Sequence, residues 1–170
     1  MKDRSSSRPG LEQLITEHQS MVARICASYE RDRDLARELC QDVWFAVWRA
    51  LPNYRADASL KTFVARIAQF RAISHVTQRS KQPLPAELCE SIPDAQPIPE
   101  SAAIASSERR GLLAAVQSLP LVYRQPVILT LEDFSPADIA TMLGLSVNVI
   151  GVRLTRARSM LRAILNPGDV

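Results

Sequence analysis

Apolar residues recur at three- and four-residue steps along most of this chain, and that spacing predicts helices. The first series is Leu11, Leu14, Ile15, Val22, Ile25 and Tyr29, with His18 in step. Arg31 to Asp34 is a charged break that offers N-caps. A second helix follows, with Leu35, Leu39, Val43, Val47 and Leu51 on one face, until Pro52 and Asn53 end it. Asp57 or Ser59 can cap a third helix, which carries Leu60, Phe63, Val64, Ile67 and Ile73 and runs to about Arg79. Then the pattern breaks. Pro83, Pro85, Pro93, Pro97 and Pro99 leave no room for a long helix.

The series resumes with Leu112, Leu113, Val116 and Leu119, a helix expected from about Ser107 until Pro120 stops it. Another helix is expected from about Gln125 to Leu131, with Pro126 in its first turn. Ser135-Pro136-Ala137-Asp138 is a strong start signal: a capping hydroxyl, a proline at the first helical position and an acid at the positive helix end. That helix holds Ile139, Ala140 and Leu143, and Gly144 supplies the left-handed residue at its end. Ser146 caps the last helix, which continues to Leu165 before Asn166-Pro167-Gly168 stops it.

These elements predict an all-α protein of two small helical domains, joined by a Pro-rich acidic linker, with a C-terminal helix-turn-helix. The expected boundaries are a disordered tail over 1–10, a first domain over 11–82, a linker over 83–106 and a second domain over 107–166. The 170 residues suffice for two small cores. With 5 glycines and no alternating Val/Ile/Thr runs, sheet is not expected.

Net charge is only +3, but its distribution is informative. Ala58 to Ala86 holds Lys61, Arg66, Arg71, Arg79 and Lys81 and no acid. Ile139 to Gly168 holds Arg153, Arg156, Arg158 and Arg162, again without acid. Between them, Pro83 to Ser107 carries Glu87, Glu90, Asp94 and Glu100 and no base. Two basic segments separated by an acidic one suit two contacts with a polyanion. Either segment alone reads equally well as a solvated helix face.

Cys26, Cys40 and Cys89 match no metal or redox spacing. Cys26 and Cys40 sit among apolar residues, so buried, reduced thiols are expected. No apolar run reaches membrane-spanning length, and Met1 to Gly10 has no signal-peptide core. A cytoplasmic protein without membrane insertion is expected. The sequence offers no nucleophile–base set, metal cluster or phosphate-cradling glycine loop, so no catalytic residues, cofactor or small-molecule ligand are expected.

Ser135 to Arg158 reads helix, tight turn, helix. Ile139, Leu143, Leu145 and Ile150 would pack the two helices together, with Ala140 small where they cross. An ordinary helical hairpin has the same outline, but the acid-free arginine set on the second helix favours a DNA-binding helix-turn-helix. Phosphate contacts would give affinity, and side chains early in the second helix, Asn148 foremost, could reach base edges.

With those residues in view, the chain resembles an extracytoplasmic-function sigma factor of the sigma-70 family, from Gln13 to Leu165. Ile139-Ala140-Thr141-Met142-Leu143-Gly144-Leu145-Ser146 and Val152-Arg153-Leu154-Thr155-Arg156-Ala157-Arg158 are similar to the family's fourth region, which binds the −35 element. Leu119-Pro120 before them also fits. Glu38-Leu39-Cys40-Gln41-Asp42-Val43-Trp44 resembles the second-region motif that docks on the polymerase clamp. Tyr54-Arg55-Ala56-Asp57-Ala58-Ser59-Leu60-Lys61-Thr62-Phe63 and Arg66-Ile67-Ala68 resemble the segment that melts and reads the −10 element.

The resemblance implies core RNA polymerase and promoter DNA as partners, with an anti-sigma factor as regulator. It implies polymerase contacts at Glu38, Gln41, Asp42, Phe45, Trp48 and Arg49. It implies −10 contacts at Lys61, Arg66, Arg71, Ser74, His75 and Arg79, and −35 contacts at Ser146, Asn148, Val149, Arg153, Arg156 and Arg158. The plainer readings stay open beside it: a solvated face for the acid–amide patch, core packing for at least one of Trp44 and Trp48, and helix packing for Ala65, Ala68 and Ala72. The chain also departs from the family. Phe63 and Ala65 stand where Trp and Tyr are usual, and Phe70 and Ser74 where Asn and Asp are frequent. Val149-Ile150-Gly151-Val152 replaces the usual Thr-Val-Lys-Ser, so one cation is missing. A helix-turn-helix regulator with a helical sensor domain is the alternative, but it leaves the Glu38 to Trp48 block unexplained. A decoy that sequesters another factor is a third reading, and the basic, acid-free helices argue against it.

Overall fold

The computed structural model describes residues 10–81 and 100–166. Nearly all of the expected tail, the Pro-rich segment from Gln82 to Pro99, Cys89 and the Pro167-Gly168 stop lie outside the described residues. Among the described residues there are seven α-helices and no strand. They are α1 (Leu11–Tyr29), α2 (Arg33–Ala50), α3 (Leu60–Lys81), α4 (Glu100–Ser118), α5 (Leu121–Leu131), α6 (Pro136–Leu143) and α7 (Val147–Leu165), with a 3-10 turn at Leu51–Asn53 after α2. The chain divides into two compact units, Met1–Ile73 and Ser74–Val170. The division falls within α3, earlier than the boundary expected near residue 82.

In the first unit, α1 and α2 pack against each other across a three-residue connection, as short helix–helix links favour. Leu14, Val22 and Ile25 of α1 and Leu39, Val43 and Val47 of α2 are buried. Asp32 caps α2: its carboxylate accepts from the N–H groups of Asp34 at 2.8 Å and Leu35 at 3.1 Å. Ser59, rather than Asp57, caps α3, accepting from the Thr62 N–H at 3.1 Å. Val64, Ala65, Ala68 and Ala72 are fully buried, so the alanines pack. The Tyr29 hydroxyl donates to Gln69 Oε1 at 2.5 Å and fixes α3 to the end of α1. Gln69 is buried, a polar residue on an otherwise apolar stripe.

Cys26 is buried and Cys40 half-buried, and both are free thiols. Hydrogen bonding to Cys40, together with burial, pushes the Cys26 thiol far up. The same hydrogen bond holds Cys40 below the usual thiol value, with burial opposing it. Neither tryptophan joins the core: Trp44 is half-buried and Trp48 exposed. Leu39, Val43, Ala46 and Val47 already fill the packed face of α2, and the indoles project from its edge and its far side.

In the second unit, α4, α5 and α6 all contact α7 or each other around Val116, Leu119, Ile128, Leu129, Ile139, Ile150 and Leu154. Two expectations need correction. Helix α4 starts at Glu100, not near Ser107, so the expected linker over 83–106 loses its last seven residues. The stretch after Pro99 has no proline and carries Ala102, Ala103 and Ala105, strong helix formers. Helix α5 starts at Leu121, not Gln125, so Pro126 lies mid-helix rather than in the first turn. The carbonyl that Pro126 cannot satisfy belongs to Val122, an exposed residue. Arg124 anchors this corner: its guanidinium donates to the Leu119 carbonyl, 2.9 Å from Nη2, and to that of Gln117. It thereby satisfies carbonyls at the C-terminal end of α4.

Candidate protein and nucleic-acid interfaces

Three surfaces carry the residues singled out from sequence. The first is the solvent face of α2, opposite its buried stripe. Glu38, Gln41, Asp42, Phe45, Trp48 and Arg49 are all exposed there. Phe45 and Trp48 are 56% and 55% exposed, their ring centroids 5.7 Å apart. The Arg49 guanidinium lies 5.9 Å from the Phe45 ring centroid, within cation–π reach. An exposed aromatic pair, bordered by two acids, an amide and one cation, is the composition of a protein-docking patch.

The second surface is on α3. Tyr54 prepares its start: the phenol donates to the Ala58 carbonyl at 2.5 Å, and its ring meets Phe63 at 5.0 Å between centroids. Lys61 lies four residues before Ala65, on the packed side, and is half-buried. Arg71, Ser74, His75 and Arg79 are half-buried as well. Arg66 alone of the expected −10 set is exposed. One turn along from Arg66 stands Phe70, 68% exposed and pointing away from the alanine stripe. Phe70 was not among the expected site residues. Its signal was present in the sequence: it lies four residues after Arg66 and falls between, not on, the positions of the buried stripe.

The third surface is the α6–α7 pair. Ser135 and Asp138 form a reciprocal capping box: the Asp138 N–H donates to the Ser135 hydroxyl at 3.1 Å and the Ser135 N–H to the Asp138 carboxylate at 3.2 Å. Gly144 ends α6 with φ of 66°, the left-handed region that favours glycine. The Leu145 N–H then closes on the Ala140 carbonyl at 2.9 Å. Ser146 caps α7 by accepting from the Val149 N–H at 3.3 Å, so its hydroxyl serves the turn. The two helices meet at 105°, the crossing of a helix-turn-helix. Ile139, Ala140 and Ile150 are buried, while Leu143 and Leu145 are half-buried at the rim.

Helix α7 buries Ile150, Leu154 and Ala157 and turns its other side to solvent. Asn148, Val149, Arg156 and Arg158 are exposed and Arg153 half-buried. Arg153 and Arg156 flank one side of the exposed strip, and Arg158 and Arg162 the other. No group of three or more metal-ligating side chains occurs among the described residues, and no single described helix is long and apolar enough to cross a membrane.

Helices throughout the described residues, an exposed aromatic patch on α2 and a basic helix-turn-helix have the make-up of a DNA-binding protein. Sequence comparison makes the class specific. The model of sigma-70 region 2 matches residues 14–82, and that of sigma-70 region 4 matches residues 109–161. The RNA polymerase sigma factor NccH of Alcaligenes xylosoxydans is 27% identical over 93% of this chain and 88% of its own. The RNA polymerase sigma-H factor of Pseudomonas aeruginosa is 28% identical over 91% of this chain and 85% of its own. Among solved structures, the sigma factor RpoE of Bartonella quintana, in complex with the anti-sigma factor NepR, superposes with a TM-score of 0.71. It is 19% identical and covers 94% of this chain and 98% of that one, a likeness of fold. The chain belongs to the sigma-70 family, in its extracytoplasmic-function group.

Proposed function

We propose that this chain binds core RNA polymerase and directs it to promoters carrying −35 and −10 elements, under the control of an anti-sigma factor. The observation that carries the reading is the order of the two family regions, each matched to a surface of the right chemistry. The exposed aromatics of α2 suit docking on polymerase, and the basic rims of α7 suit a DNA major groove. Glu38, Gln41, Asp42, Phe45, Trp48 and Arg49 make the polymerase contact. Arg66 and Arg71 hold the −10 backbone. Phe70 offers a ring for a base that has left the stack, a contact worth about 1–3 kcal/mol where it forms. Lys61, Ser74, His75 and Arg79 contribute from half-buried positions.

In the second unit, Arg153, Arg156 and Arg158 take phosphates, and Asn148 and Val149 face the bases of the −35 element. Ser146 acts through the turn that it caps. RNA synthesis itself belongs to polymerase, so the chain is an initiation factor and not an enzyme, working in the cytoplasm where polymerase and DNA meet. Control by an anti-sigma factor rests on the complexes known for RpoE with NepR and for CnrH with CnrY.

Run-off transcription with purified core polymerase on a promoter library tests the reading. Transcripts that appear only when this chain is added support it. Stable DNA binding by a dimer of the chain, with no transcription by the core enzyme, would replace it with an operator-binding regulator.

A further inference from the structure

The exposed strip of α7 has an unusual make-up. Running along it are Asn148, Val152, Thr155 and Ser159, at steps of four, three and four residues, with Val149 beside Val152. Val149 and Val152 are 37% and 46% exposed. Gly151 leaves open space next to them: a Cβ placed there would meet nothing within 4 Å. Thr155 spends its hydroxyl on the helix, donating to the Gly151 carbonyl at 2.9 Å. Over its first two turns the strip that would face base edges thus presents apolar methyls, with one amide at its leading end, and the Ser159 hydroxyl lies a turn further on.

Its two rims are cationic, and no acid lies between Ile139 and Gly168. Cations on both sides of an apolar strip match a major groove about 12 Å wide between two phosphate backbones, a width that admits one helix. Within that groove the apolar feature offered by a base pair is the thymine C5-methyl, and the partner of an asparagine amide is adenine.

We infer that Val149 and Val152 read thymine methyl groups in the upstream promoter element, with Asn148 on a neighbouring adenine. Sequence choice by α7 then comes from methyl packing and one amide, while Arg153, Arg156, Arg158 and Arg162 supply affinity without choosing sequence. The inference rests on the proposed placement of α7 in the −35 major groove.

The test uses the full chain bound to core RNA polymerase and two libraries of duplexes with randomised central base pairs. One library is made with thymidine and the other with deoxyuridine, which lacks only the C5-methyl. The thymidine library is expected to yield a motif with adjacent A and T positions. Each critical deoxyuridine should cost about fourfold in affinity, the worth of one buried methyl. In V149A and V152A that thymidine preference should vanish while affinity for unrelated duplex stays the same. Both sites are exposed and alanine is the better helix former, so these variants keep the fold. The same motif with equal affinity from both libraries would overturn the methyl reading and leave sequence-specific binding intact. No motif from either library would overturn the placement of α7 itself.

Discussion

Helix α2 of the first unit and helix α7 of the second both turn large apolar side chains to solvent, yet the charge around them differs in kind. Phe45 and Trp48 on α2 are bordered by Glu38, Gln41 and Asp42, with one cation stacked on Phe45. Val149 and Val152 on α7 are bordered by arginines and by no acid. Exposed apolar area alone does not say what a surface binds, since single apolar side chains are common on protein surfaces. The surrounding charge says which: an acid-bordered aromatic patch repels phosphate, and an acid-free basic strip attracts it.

The largest effect should come from the aromatic pair. Phe45→Ala or Trp48→Ala should weaken binding to core polymerase by about 30-fold, the ~2 kcal/mol typical of truncating a hot-spot aromatic. Duplex binding through α7 should not change. A titration of labelled protein with core enzyme, set beside a DNA titration, separates the two. Loss of both affinities together would mean that the surfaces do not divide the work.

Phe70 comes next. Replacing it by alanine removes a ring that is 68% exposed, so stability should change little. Promoter opening should still fall by about tenfold, within the 1–3 kcal/mol of a base–aromatic stack. Fluorescence of 2-aminopurine in the −10 region of the non-template strand reports it. Opening equal to that of the unaltered protein would return Phe70 to the status of an ordinary exposed residue.

These surfaces were legible in the sequence to different degrees. The helix-turn-helix was nearly complete there, because capping box, left-handed glycine and N-cap are local signals that each name their own residues. The exposed face of α2 was legible because a helix with one filled apolar stripe must turn the rest outward. What the sequence hid was tertiary. Lys61 and the alanines share a stripe, and only the packing of that stripe takes Lys61 half out of solvent. Nothing local marks Gln69 for burial, because its partner Tyr29 lies 40 positions away. The early start of α5 was hidden for another reason: a proline is read as a helix start, yet Pro126 lies mid-helix, where the one carbonyl it strands belongs to an exposed residue.

Gly151→Lys sharpens the contrast from the DNA side. The space for the side chain is open, and lysine replaces the poorest helix former apart from proline, so α7 should gain about 1 kcal/mol of helix stability. One added phosphate contact should steepen the dependence of log K on log salt by about 0.9. An unchanged slope in a binding titration would show that this edge of α7 does not approach the backbone. Binding to core polymerase should be unaffected in either case.

The smallest effect concerns the seam behind the α2 face rather than the face itself. The thiolate is the reactive form of cysteine, so reactivity follows thiol acidity and access. Cys40 is half-buried and held below the usual thiol value by Cys26, whereas Cys26 is buried and pushed up. In a Cys89→Ser background, iodoacetamide should therefore modify Cys40 first, from a lower pH, while Cys26 stays intact in the folded protein. Peptide mapping after timed labelling gives the order. Cys40 lies toward the packed side of α2, away from Phe45, so a small adduct there should leave polymerase affinity within about twofold and DNA affinity unchanged, as for a substitution outside a hot spot. Modification of Cys26 at a comparable rate would show that α1 and α2 part in solution. The docking face would then be only as rigid as that opening allows, unlike α7, whose face is held by its own caps and core.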